Sequence, residues 1–314
     1  MQYSATQQSF ANISRIMLSA ALAIALTACG RGKGTGASGT GTLATGASAS
    51  AKPEDHPPPP PLPVPDSVTL KEAIPYVEGP GADPTRNLLD LYLPKQTTAF
   101  PTVVFVHGGG YQRGDRTLGH NLGVVLANHG VAVASISYRL YPQVKHPGQI
   151  QDVAKAFAWV KSHIGDYGGD PSRVHVSGHS AGGHLAALLG TDGSYLAAEH
   201  LKPADIASVL AMSGGYRINP IRKDVFGDDA AIAAASPFAH ISGNHPPFVL
   251  LYGSLEKTDR HELSREFRDA LLGAHGQAVC VMIPDRDHQG LLDRVSEDDP
   301  TVLALLHAVE KATR

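Results

Sequence analysis

The chain has 314 residues, a formal net charge of −3 and 42% hydrophobic residues. That suits one large domain with a sizeable core, and near-neutral charge gives no electrostatic footprint for nucleic acid. Two cysteines, Cys29 and Cys280, exclude a disulfide framework.

At the N-terminus, Arg15 precedes an apolar run over residues 16–26. The run is too short to cross a bilayer comfortably and suits a secretory h-region. It ends in Leu26-Thr27-Ala28-Cys29, which resembles the lipobox of bacterial lipoproteins. The resemblance implies a lipoprotein signal peptide over residues 1–28, lipidation of Cys29, export, and membrane attachment through a lipid anchor only. An ordinary signal peptide or an uncleaved anchor would use the same run, and translation could begin at Met17. Residues 30–51 are almost all Gly, Ala, Ser and Thr, and 57–65 is proline-rich. Such composition cannot bury enough apolar surface to offset its ordering entropy. Residues 29–66 therefore read as a tether, on the order of 30–40 Å long as a flexible coil. The remaining 67–314 is the folded domain.

Within that domain, residues 87–93 read as an early antiparallel strand stopped by Pro94. Thr102-Val-Val-Phe-Val106 is a continuous apolar run, as a strand buried on both faces should be. It opens into His107-Gly108-Gly109-Gly110-Tyr111, where three glycines leave backbone N–H groups able to approach a substrate oxygen. A helix over 118–130 and a strand over 131–138 follow. Residues 149–164 form an amphipathic helix, with Ile150, Val153, Phe157, Val160 and Ile164 at helical spacing. Arg139 and Asp152 could pair beneath the site or stand as solvated charges.

Val174-His-Val-Ser-Gly178-His179-Ser180-Ala181-Gly182 then runs from a strand into the helix-forming stretch 184–189. This is Gly-x-Ser-x-Gly in strand–turn–helix context, the nucleophile elbow. The turn brings the residues two before and two after Ser180 nearly into contact, so side chains at 178 and 182 would clash. It also points the first N–H groups of the helix toward the place where negative charge develops. Strands follow over 209–213, 248–252 and 279–283, with a closing helix over 300–312. Alternating strands and helices indicate a mostly parallel sheet covered on both faces. The segment 216–247 lacks strong periodicity and reads as a small cap over an open site. Cys280 reads as a buried strand thiol.

The two glycine motifs together resemble the α/β-hydrolase superfamily, in its esterase/lipase branch with hormone-sensitive-lipase-like, isoprenylcysteine-methylesterase-like and BD-FAE-type members. The resemblance spans residues 68–312 and implies an eight-stranded α/β-hydrolase sheet. It implies the order nucleophile, acid, base: Ser180, then an acid after strand 248–252, then His288 after strand 279–283. The acid position holds Glu256 where relatives carry aspartate; Asp259, one helical turn on, is the other candidate. His261 is a rival base that reads as surface. The N–H groups of Gly108, Gly109 and Ala181 would form the oxyanion hole. No metal or organic cofactor is implied, because His107 has no second ligand at metal spacing. The expected activity is hydrolysis of short-chain or compact aromatic acyl esters through an acyl-enzyme. Residues 260–267 resemble kynurenine-formamidase-like hydrolases, which keeps an arylformamidase-like amide hydrolase open. A non-catalytic binding lipoprotein is the third reading.

Overall fold

The computed structural model describes residues 59–312. The signal peptide, Cys29 and the tether up to residue 58 lie outside the described residues. Eight strands form one sheet: β1 (Val68–Pro75), β2 (Leu88–Pro94), β3 (Phe100–Val106), β4 (Ala132–Ile136), β5 (Gly169–His179), β6 (Val209–Met212), β7 (Phe248–Gly253) and β8 (Ala278–Ile283). Their order across the sheet is β1-β2-β4-β3-β5-β6-β7-β8. β2 runs antiparallel to both β1 and β4, and every pairing from β4 to β8 is parallel. This is the α/β-hydrolase architecture that the two glycine motifs imply.

Five longer helices cover the sheet: α1 (His120–Asn128), α2 (Gly148–His163), α3 (Ala181–Thr191), α4 (Thr258–Gly273) and α5 (Pro300–Lys311). The side-chain period of two explains why β3 is apolar at every position from Val103 to Val106. Val104 and Val106 join the core that α2, α3 and α4 cover, while Val103 and Phe105 join the core under α1 and α5. Burying each such side chain stabilises the fold by about 1.5–3 kcal/mol. The stripe Ile150, Val153, Phe157 and Val160 of α2 is wholly buried. Arg139 and Asp152 form a forked pair, with Nη2–Oδ1 at 2.7 Å, and the Arg139 N–H also donates to Asp152 at 2.9 Å. Asp152 is buried, so the pair pins the loop after β4 to α2 and is no surface ornament.

Two local expectations need correction. The helix expected over 118–130 begins as a 3-10 turn, Arg116–Gly119, and becomes α-helical only at His120. Asp115 accepts from the Thr117 N–H and starts that turn early. Cys280 is half-buried because β8 lies at the sheet edge, and its thiol donates to the Ser264 carbonyl. At the opposite edge β1 alternates only at Val68 and Leu70 before Lys71 and Glu72 interrupt it, too short a pattern to mark a strand in the sequence. A bulge at Ala73, whose φ is 55°, breaks its ladder, and the Ala73 N–H donates instead to Asp90.

The cap segment folds as short helical turns: Pro220–Arg222, Lys223–Phe226, Asp229–Ala234 and Pro237–His240. Among the described residues no helix is long and apolar enough to cross a membrane. All parallel strands deliver their carboxyl ends to one edge of the sheet, where an open α/β sheet places its ligands.

Candidate active site

The centre of that edge is Ser180, between β5 and α3, with φ 56° and ψ −115°. A non-glycine residue in this region is strained, and the surroundings over-determine it. The Ser180 N–H donates to the Met212 carbonyl, and its own carbonyl accepts from His184 N–H. A Cβ on Gly178 would stand 2.3 Å from the Gly182 carbonyl oxygen, and one on Gly182 would stand 1.9 Å from that of Val106. Both glycines are obligatory because β3, β5 and α3 converge there. Gly108 lies beside the nucleophile: its Cβ position is 3.3 Å from the Ser180 Cβ. Ala181 is the first residue of α3, so its N–H has no acceptor within the helix.

His288, after β8, places Nε2 2.9 Å from Ser180 Oγ. Its Nδ1 lies 2.7 Å from Glu256 Oε1. A carboxylate only accepts, so Nδ1 carries the hydrogen and Nε2 offers its lone pair to the Ser180 hydroxyl. The Glu256 side chain is 1% exposed. Burial works against its charge. Hydrogen bonds from His288, from Ser213 Oγ at 2.5 Å and from the Gly253 N–H at 3.0 Å outweigh burial and hold the carboxyl below the ordinary 4.5. Arg260 adds an ion pair to Oε1 at 3.3 Å and donates to the Ser213 carbonyl at 2.7 Å.

Asp259 stands exposed in the first turn of α4. His261 is half-buried and not a surface residue as expected: its Nε2 bonds the Gly253 carbonyl at 2.8 Å. His107 is buried, stacked on Tyr138, with Nδ1 on the Gly108 carbonyl at 2.7 Å. Among the described residues no cluster of His, Cys, Asp and Glu could hold a metal.

Three supporting residues, His179, Ser213 and Arg260, have no assigned role in the sequence motifs. His179 donates from Nε2 to the His288 carbonyl at 2.7 Å, across 109 residues of chain. Ser213 closes β6 with φ 48° and aims its hydroxyl at Glu256. Arg260 clamps both Glu256 and Ser213. The only advance signal was the small-residue run Ser213-Gly214-Gly215 at the end of an apolar strand.

Four buried histidines surround this edge and the sheet beneath it. Burial pushes His107 and His184 down from 6.5 to about 4, and His175 and His179 to about 3. Between those values and 6.5 the unfolded chain binds a proton at each position and the folded chain does not. Stability therefore falls as pH drops below 6.5, by about 1.4 kcal/mol per pH unit for each histidine. The thermal midpoint is expected to fall steadily from pH 6.5 to 4.5 in calorimetry. A flat midpoint over that range would contradict the burial of these rings.

A family model described as BD-FAE matches residues 89–271. A probable isoprenylcysteine alpha-carbonyl methylesterase of Arabidopsis thaliana is 28% identical over 260 residues, covering 70% of this chain and 54% of that protein. The esterase LipC of Mycobacterium tuberculosis is 32% identical over 235 residues, covering 66% of this chain and 58% of its own length. The chain thus spans little more than half the length of these curated relatives. Among solved structures, esterase B of Lactobacillus rhamnosis inhibited by a tributyrin phosphonate superposes with a TM-score of 0.69. It is 25% identical and covers 80% of this chain and 88% of its own.

Proposed function

The chain belongs to the BD-FAE family, and from that premise we propose that it is a serine carboxylesterase using Ser180, His288 and Glu256. The observation that carries the reading is the unbroken line Glu256–His288–Ser180, at 2.7 and 2.9 Å, ending on a strained elbow. His288 Nε2 takes the proton of Ser180 Oγ as the oxygen attacks the ester carbonyl. The N–H groups of Gly108, Gly109 and Ala181 receive the oxyanion. Glu256 stabilises the imidazolium without taking its proton. His288 then protonates the departing alcohol, and the acyl-enzyme is hydrolysed by water that the same ring activates.

The cap supports a preference for small acyl groups. Its longest α-helical turn, Asp229–Ala234, has six residues, which leaves little apolar surface for a long chain. A deep channel would add roughly 0.8 kcal/mol for each buried methylene. Across a panel of nitrophenyl esters, kcat/KM is expected to peak between about two and six carbons and to fall beyond about eight. Preference for palmitoyl esters with activation above their solubility limit would contradict the open site. Hydrolysis of N-formyl aromatic amines in preference to every ester would favour the amide reading instead.

The lipobox pattern Leu26–Cys29 supports export and anchoring through Cys29. Mass spectrometry of the mature protein is expected to find a diacylglyceryl-modified Cys29 as its first residue. A water-soluble mature protein beginning elsewhere would contradict the anchor.

A further inference from the structure

The oxyanion loop runs through three consecutive residues of positive φ, a backbone that glycine adopts freely and Tyr111 does not. Gly109, Gly110 and Tyr111 have φ of 108°, 63° and 68° in succession. A Cβ on Gly109 would lie 2.1 Å from the Arg113 carbonyl oxygen. A glycine pair this permissive can rotate its peptide planes at little cost, and what fixes it must come from hydrogen bonds. The Gly108 carbonyl is held inside the loop by the His107 ring. The Gly109 carbonyl accepts from the N–H groups of Gln112 and Arg113, both at 3.2 Å. The Gly110 carbonyl is held by the cap: Arg222 Nη2 donates to it at 3.0 Å.

Further cap contacts converge on the same loop. The Arg222 guanidinium lies 5.5 Å from the Tyr111 ring centroid. Asp224 pairs with Arg222 at 3.3 Å and accepts from the Gln112 amide at 3.1 Å. The Phe226 ring meets Tyr111 edge-on at 5.1 Å. Beneath the loop, the Tyr111 hydroxyl bonds His184 of α3 at 3.0 Å, and the other nitrogen of that ring bonds the Ala235 carbonyl of the cap at 2.7 Å. The loop is therefore held by the cap on one side and by α3 on the other.

We propose that Arg222 is a positioning residue for ester hydrolysis: the cap, through its bond to the Gly110 carbonyl, holds the oxyanion-binding peptides of Gly108 and Gly109 in their receptive orientation. The proposal rests on the serine-esterase reading and deepens it. The acyl-enzyme forms and breaks as described above; Arg222 touches no reacting atom and anchors the loop at the 110–111 peptide, two peptides along the chain from the one that carries the Gly109 N–H. Such a group matters more when charge develops on the carbonyl oxygen than when substrate merely binds.

The test compares wild type with Arg222→Met and Arg222→Lys, with Arg222→Gln made alongside in case the methionine variant misfolds. Three quantities are read: the thermal midpoint, kcat and KM on a short nitrophenyl ester, and the rate at which a fluorophosphonate modifies Ser180, followed by intact mass. For Arg222→Met the midpoint should stay within a few degrees. Its kcat should fall roughly tenfold while KM changes by less than about threefold, and phosphonylation should slow with kcat. Arg222→Lys, which can still donate to the Gly110 carbonyl, should recover part of the loss. Wild-type kcat in a folded Arg222→Met protein, or a loss confined to KM, would overturn the proposal. If wild-type Ser180 were not phosphonylated at all, the serine-esterase reading itself would fail. Equal phosphonylation rates in wild type and Arg222→Met would sink the Arg222 proposal alone.

Discussion

Ser180→Ala is expected to lower kcat by at least about three orders of magnitude, as loss of a nucleophile does where residual catalysis comes only from binding and the oxyanion donors. The prediction follows from geometry. Ser180 Oγ is the atom that His288 Nε2 faces at 2.9 Å. The elbow is held by the Ser180 backbone, through the Met212 carbonyl and His184 N–H, and by the two flanking glycines. None of these contacts uses the hydroxyl, so alanine keeps the turn and removes only the nucleophile. Circular dichroism and the thermal midpoint should stay close to wild type. A folded Ser180→Ala protein that retained most of its turnover would remove Ser180 from the mechanism.

Glu256→Gln is expected to cost about two to four orders of magnitude in kcat, and Asp259→Asn less than about twofold. Glu256 accepts from His288 Nδ1, Ser213 Oγ and the Gly253 N–H with its two oxygens. Glutamine offers one oxygen and one NH2 group, so it cannot accept from both sides. If the NH2 group faces His288, the ring takes the other tautomer, places its hydrogen on Nε2 and can no longer accept the Ser180 proton. Asp259 is exposed and bonds nothing in the site. A severe Asp259→Asn variant beside a mild Glu256→Gln variant would place the acid in the first turn of α4.

The fold and the core of the candidate site were legible because they rest on local rules. A strand buried on both faces is apolar on both, and the runs 103–106 and 248–251 say so. A turn in which a Cβ would lie 1.9 Å from a carbonyl oxygen admits only glycine at 182. Family order then pointed to His288 and Glu256. The supporting residues were not legible, since their roles exist only after distant segments meet. His179 reads as the variable residue of the elbow until β8 brings the His288 carbonyl to it. Arg260 reads as a helix-surface charge until Glu256 and Ser213 are seen beneath it. Arg222 sits in a stretch with no periodicity, and only the folded cap brings it to the oxyanion loop. β1 escaped for a different reason: an edge strand that is half exposed carries Lys71, Glu72 and a bulge after only two alternating apolar residues.

The mechanism requires a covalent intermediate at one oxygen. Rapid acid quench of wild-type protein turning over nitrophenyl acetate, followed by peptide mass spectrometry, measures it directly. One acetyl group is expected on Ser180, formed with a burst of nitrophenol and absent from Ser180→Ala. Steady turnover with no acyl adduct, or an adduct mapped to another residue, would contradict the mechanism.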